Sequence, residues 1–201
     1  LTNQNTHNSG NITSWRETFR DCPNLTSVNF SSIDTSSVSS FDSTFKDCDS
    51  LTEMTGINSL DTSSLTVARG MFEECSSYDQ DIDLSTWTTD NLLNASYMFE
   101  GMGAYTFDSS TNAYTFQIDI DLSNWDCTSL TNVKGMFNRC VAGEITLTNW
   151  SNTSSISTVK EMFNNSQAHT INFPSSMDLS GLTDADSFMA YAKYVTSLDL
   201  S

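Results

Sequence analysis

"SLTNVKGMFNRC", Ser129 to Cys140, is the stretch on which the fold reading turns. Its apolar residues Leu130, Val133, Phe137 and Cys140 fall at i, i+3, i+7 and i+10. On a helix this spacing collects them on one face over about three turns. "NLLNASYMFEGM" repeats it with Leu92, Ala95, Phe99 and Met102, and "SVSSFDSTFKDC" with Val38, Phe41, Phe45 and Cys48. "DTSS" stands upstream at 34–37 and again at 61–64, a supply of hydroxyl and carboxylate groups for the unpaired amides of a first helical turn. The sequence therefore predicts one short helix in each of these segments.

Working outward, the segment recurs along the chain. "TFRDC" from Thr18, "TFKDC" from Thr44, "MFEEC" from Met71 and "MFNRC" from Met136 are clear copies. "MFEGM" from Met98, "MFNNS" from Met162 and "FMAYA" from Phe188 are weaker ones. The marker positions 19, 45, 72, 99, 137, 163 and 189 are spaced 26 or 27 residues apart, with one step of 38. One period with one insertion is the signature of a repeat array. An apolar–polar–apolar phrase, the pattern of a half-buried strand, recurs alongside the markers. These phrases are "VNF" at 28–30, "IDL" at 82–84 and 120–122, "ITL" at 145–147, "INF" at 171–173 and "LDL" at 198–200. Strands in a sheet sit about 4.8 Å apart, whereas packed helices need about 8–10 Å. The expected architecture is thus an α/β, leucine-rich-repeat-like solenoid of about seven units. Each unit has a short parallel strand and a short helix, and the stack curves with the strands on its concave face. The sequence divides as one repeat array over 1–201, with a degenerate first unit at 1–24 and an insertion at 103–117. The array is open after "VTSLDLS", where the chain is expected to continue or to meet another subunit.

"LTSVNFSSIDTSSVSSFDSTFKDC" and "IDLSNWDCTSLTNVKGMFNRC" resemble the BspA-like leucine-rich-repeat surface proteins of bacteria and some protists. The resemblance covers nearly the whole chain. It implies a secreted or surface-anchored array that serves adhesion or acts as a spacer, and it implies no catalytic residues.

Charge narrows the function classes. Eight Lys and Arg against 25 Asp and Glu give a net charge of −17. Such a surface repels phosphate backbones, which excludes nucleic acid as a partner. No apolar run reaches the roughly 18 residues of a membrane helix, so direct membrane insertion is not expected. All eight basic residues lie in or beside the predicted helices, and Arg16, Arg69, Lys134 and Lys160 share one slot. His7 and His169 are far apart in sequence and no nucleophile motif is present, so the expectation is a protein that is not an enzyme.

The phrase "DIDLS" occurs at 81–85 and at 119–123. With Ile82, Leu84, Ile120 and Leu122 turned inward, Asp81, Asp83, Asp119 and Asp121 share the outer face. If the two strands are neighbours, four carboxylates lie about 5 Å apart across the ladder. Weak extracellular calcium sites use such oxygens, so a low-affinity Ca2+ site is one reading and a solvated acidic face the other. Glu53, Glu144 and Asp199 extend the acidic strip. The insertion reads "GAYTFDSSTNAYTFQ", with "AYTF" on either side of a polar turn, and predicts a β-hairpin. Its aromatics Tyr105, Phe107, Tyr114 and Phe116 are candidates for partner contact. Trp87, Trp125 and Trp150 fill one slot and read as core, as do Cys22, Cys48, Cys75 and Cys140. Cys127 reads as an accessible thiol beside a helix start.

Two functions fit. One is an extracellular, cell-surface recognition or adhesion module whose acidic concave face or hairpin holds a protein or glycan on a cell or matrix surface. The other is a spacer or fibre subunit that stacks end to end on copies of itself.

Overall fold

The computed structural model describes residues 12–110, 113–116 and 118–195. Eight short strands are present among them: β1 (Ser27–Asn29), β2 (Glu53–Thr55), β3 (Ile82–Asp83), β4 (Tyr105–Asp108), β5 (Ala113–Phe116), β6 (Ile120–Asp121), β7 (Glu144–Thr146) and β8 (Thr170–Asn172). β1 pairs with β2, and β3, β6, β7 and β8 form a second sheet in that order, all parallel. β4 and β5 form the antiparallel hairpin expected of the insertion. A further row of parallel bridges runs Ser14, Ser40, Val67, Asn94, Asn132, Thr158, Asp184.

No α-helix occurs among the described residues. The only helical turns are two single 3-10 turns, Ile57–Ser59 and Thr153–Ser155. This overturns the α/β, helix-per-unit, leucine-rich-repeat-like solenoid expected from the sequence. The reason lies in the backbone. Two residues before each marker phenylalanine the chain is left-handed: Glu17, Ser43, Gly70, Tyr97, Gly135 and Glu161, with Ser187 in the last copy. Two residues after it the chain is left-handed again: Asp21, Asp47, Glu74, Gly101, Arg139 and Asn165, with Tyr191 in the last copy. A left-handed residue at every fourth position breaks the run of right-handed dihedrals that a helix requires.

These residues turn alternate amides away from their own turn and toward the next unit. Phe45 N–H donates to the Met71 carbonyl at 2.9 Å, Ser43 N–H to that of Arg69 at 2.7 Å, and Asp47 N–H to that of Glu73 at 2.9 Å. The amides between them close local turns, such as Cys48 N–H to the Phe45 carbonyl at 3.1 Å. Three-residue turns place their corner residues at the same intervals as a helical stripe. Leu130, Val133, Phe137 and Cys140 are accordingly all buried, without a helix. Units are thus joined by backbone hydrogen bonds on the turn side as well as on the strand side. The spacing is set by the backbone on both, so the argument for a curved array with a concave strand face falls with the helices.

Side chains in equivalent positions form continuous rows. Phe19, Phe45, Phe72, Phe99, Phe137 and Phe163 stack with ring centroids 5.1–6.1 Å apart. Each fully buried ring contributes on the order of 1.5–3 kcal/mol by transfer from water. Trp125 and Trp150 stack at 5.8 Å with planes 3° apart. Every indole in that slot also donates to the preceding unit: Trp87 Nε1 to the Ile57 carbonyl, Trp125 Nε1 to that of Leu84, and Trp150 Nε1 to that of Leu122, at 3.1, 3.1 and 2.8 Å. The core reading of the tryptophans holds. All five cysteines are free. Cys127 is fully buried, not an accessible thiol, because its turn faces the core.

The aspartates of the "DTSS" phrases act locally, but on turns. Asp34 Oδ1 accepts from Ser36 N–H at 3.0 Å and Ser36 Oγ–H at 2.7 Å, and Asp61 does the same with Ser63. Asp126 with Thr128 repeats this arrangement, and Asp178 accepts from Ser180 N–H. The chemistry is that of a helix cap, used here to close Asx turns.

Candidate functional site

The expected register of the acidic phrases is present. Ile82 lies opposite Ile120 and Asp83 opposite Asp121 on β3 and β6. The side chains of Ile82, Leu84, Ile120 and Leu122 are buried, and the carboxylates face away from them. These carboxylates do not converge, however. Asp81 Oδ1 accepts from the Asp119 backbone N–H at 2.8 Å, and Asp119 Oδ1 accepts from the Glu144 N–H at 2.8 Å. Asp83 Oδ1 accepts from Ser85 N–H and Oγ–H at 2.9 and 2.6 Å, and Asp121 Oδ1 from Ser123 N–H at 2.8 Å. Each carboxylate is engaged in holding a strand end or a turn. Among the described residues no group of three or more His, Cys, Asp or Glu side chains is placed to hold a metal ion. The geometry lends the Ca2+ reading no support.

Of the other acidic candidates, Glu53 is exposed on β2 and Glu144 half-buried at the start of β7. Glu144 Oε1 accepts from Thr146 Oγ at 3.0 Å and from Asn172 Nδ2 at 2.5 Å. Asp199 lies outside the described residues.

The charges are segregated. Every ion pair among the described residues sits on the turn side. Arg16 and Arg69 both reach Asp42, Lys46 pairs with Glu73, Arg139 bridges Glu74 and Glu100, and Lys160 meets Asp186. Most of these cross from one unit to the next. Lys134 adds a cation–π contact, 5.5 Å above the Tyr97 ring. Among the described residues no such partner reaches Glu53, Asp81, Asp83, Asp119, Asp121 or Glu144 on the strand side. Basic residues in the turn segments offset much of that side's negative charge and leave the strand side acidic.

The hairpin is tied back to the array. The Phe116 ring lies 4.4 Å from the His169 ring and 6.1 Å from that of Tyr194, and those two rings are 5.0 Å apart. Phe116 is therefore an anchor for the hairpin base. Tyr105, opposite it in register, is 49% exposed. The side chains of Phe107 and Tyr114 lie outside the described part.

A site missed from the sequence lies between β2 and β3. The strand row is continuous from β3 through β8, but no strand pairing joins β2 to β3 among the described residues. Spacing explains the break. Buried residues of the strands are two apart at Ile82–Leu84, Ile120–Leu122 and Ile145–Leu147, but three apart at Met54–Ile57. The additional residue is taken up at Gly56, which is left-handed at φ 77°. The result is a cleft of about 300 Å³ lined by Glu53, Met54, Ile57, Tyr78, Asp81 and Asp83, among others. Tyr78 replaces the leucine found at Leu25 and Leu51, and its hydroxyl hydrogen bonds with the Met54 backbone; burial pushes its pKa up to about 12. At the other end Trp87 and Thr86 bond to the Ile57 and Asn58 carbonyls. The irregular "TGINSL" against "DLSTW" was the signal available in the sequence.

The described residues thus define a class: a repeat protein of turn-rich units paired in parallel, with its ion pairs on one side and carboxylates outside any ion pair on the other. The chain belongs to the family described as "Mycoplasma protein of unknown function, DUF285", which matches twice, over residues 2–114 and 109–199. No curated protein and no solved structure matches it. No described helix is long and apolar enough to cross a membrane.

Proposed function

We propose that the protein is a non-enzymatic, extracellular recognition or adhesion module of a cell surface, and that its acidic strand face receives a basic protein partner. The observation that carries this reading is the segregation of charge: among the described residues six carboxylates on one side have no ion-pair partner, while six of the eight basic residues are paired on the other. Opposite charge steers such a partner at long range and fixes its orientation. The BspA-like character of "IDLSNWDCTSLTNVKGMFNRC" supports the surface location. The exposed Tyr105 on the hairpin offers an aromatic contact to a protein or glycan at the rim.

The test is binding to an immobilised lysine-rich protein at physiological salt. A variant carrying E53Q, D81N, D83N, D119N, D121N and E144Q should lose most of the binding. A variant with six turn-side acids neutralised should keep it. Equal loss in both would reduce the interaction to net charge and remove the reading.

A second reading is a spacer or fibre subunit stacking on copies of itself. It is favoured by the hydrogen bonding between units, which repeats from unit to unit and so can continue across a junction. Electron microscopy of the purified protein separates the two, since filaments support the second and dispersed particles the first.

A further inference from the structure

We propose that the cleft between β2 and β3 is a receptor for the long cationic side chain, arginine or lysine, of an extended basic peptide. This rests on the reading of the strand face as a basic-partner surface and places its point of attachment.

Three features of the cleft converge on that ligand. Its floor is apolar, formed by Met54, Ile57 and the ring of Tyr78. Its rim carries the carboxylates of Glu53, Asp81 and Asp83. An arginine or lysine has the same two parts: an apolar stem that packs on a floor and a charged head that stays at the rim. The volume, about 300 Å³, lies at the lower end of the range for ligand pockets and suits one long side chain.

The third feature is the backbone. The parallel strands run β1–β2 and β3–β6–β7–β8, and among the described residues no pairing joins β2 to β3. The Met54 backbone already hydrogen bonds with the Tyr78 hydroxyl, so the cleft offers a slot for a side chain and not an edge for strand addition. Held apart by the turn at Gly56 and spanned at its two ends by Tyr78 and Trp87, the cleft is built into the fold. The rim carboxylates use one oxygen each on local donors: Glu53 Oε1 on Thr55, Asp81 Oδ1 on the Asp119 amide, Asp83 Oδ1 on Ser85. Among the described residues none of the three has an ion-pair partner, and their second oxygens are the ones a guanidinium or ammonium group would engage.

The experiment is an NMR titration of the full chain with a short blocked peptide bearing one central arginine. Its citrulline analogue, equal in shape and without charge, is the comparison. The expected result is a set of amide shifts confined to residues 54–58 and 78–84, with binding about tenfold weaker for citrulline. E53Q should weaken the arginine peptide without disturbing the backbone, because Glu53 caps no amide. A variant with D121N and E144Q, on the same face but outside the cleft, should bind as the parent does. Shifts spread along the whole face, or equal affinity for both peptides, would overturn the proposal. That failure is separable from failure of the parent reading: the lysine-rich protein would still bind, and still depend on the six acids, if only the cleft assignment were wrong.

Discussion

Asp83 and Asp121 stand directly opposite each other on adjacent parallel strands, each holding its own Asx turn closed through Ser85 and Ser123. Like charges facing across a ladder destabilise it, typically by about 0.2–1 kcal/mol. The fold retains the pair because each carboxylate is needed as an acceptor. Asn keeps that acceptor and removes the charge. D121N is expected to raise the urea midpoint at low ionic strength by a stability gain within that range. The gain should shrink in about 1 M salt, where the screening length falls to about 3 Å. A loss of stability at low salt would show that repulsion is not what this site carries.

Acid should act through the turn aspartates. Asp34, Asp61 and Asp178 are held below the usual carboxylate range, first by hydrogen bonds from the side chains of Ser36, Ser63 and Ser180 and next by those serines' amides. Asp126 is lowered first by the Asn152 side chain and then by Thr128. A carboxyl whose folded pKa is depressed stabilises the fold above its unfolded pKa, about 3.9, and loses that contribution as pH falls through the folded value. The denaturation midpoint is therefore expected to be flat from about pH 7 to 5 and to drop below about pH 4. D61N retains the acceptor and should make the drop shallower. An unchanged slope in D61N, or a midpoint that falls already between pH 7 and 5, would count against these turns as the source.

The repeat period, the phenylalanine and tryptophan rows, the facing of "DIDLS" against "DIDLS" and the hairpin were all legible in the sequence. Each rests on side-chain identity recurring at fixed distance. The helix was misread because the 3-4-3 spacing of Leu130, Val133, Phe137 and Cys140 serves a run of three-residue turns as well as a helix. Left-handed Glu17, Ser43, Tyr97 and Glu161 carry no mark of that conformation in their chemistry. Gly70, Gly101 and Gly135 did carry one, since glycine in a helix interior costs about 1 kcal/mol relative to alanine. The β2–β3 cleft was hidden because its cause, one additional residue at Gly56, shows in the marker spacing only as a step of 27 residues instead of 26, which the next unit shares.

That conformational slot makes a prediction of opposite sign at two positions. Gly135 has φ 59°, and a Cβ there would meet the Tyr97 ring at 2.5 Å. G135A should destabilise the protein by about 1–3 kcal/mol. Glu161 occupies the same slot in the following unit at φ 58°, with a side chain where two other units have glycine. E161G removes the left-handed penalty and is expected to stabilise by up to about 1 kcal/mol after the greater freedom of glycine in the unfolded chain is offset. Thermal melts of the two variants decide it. If E161G destabilises as much as G135A, the left-handed slot is not the controlling feature of the turn.

The cysteines test the depth of the core chemically. The thiolate is the reactive species, so burial that disfavours charge suppresses reaction. Burial pushes the pKa of Cys48 up to about 11 and those of Cys127 and Cys140 up to about 12, and that of Cys75 rises as well. Cys48 and Cys75 also donate to carbonyls one unit back, those of Phe19 and Phe45, at 3.0 and 3.3 Å. Cys22, at the edge of the phenylalanine row, is the one half-buried thiol of the five. A disulfide reagent at pH 8 should therefore modify a single thiol rapidly in the native protein and all five after denaturation. C22S should abolish the rapid phase. Fast modification of Cys127 instead would restore the exposed thiol that its sequence position suggests, and with it a turn facing solvent in place of the core.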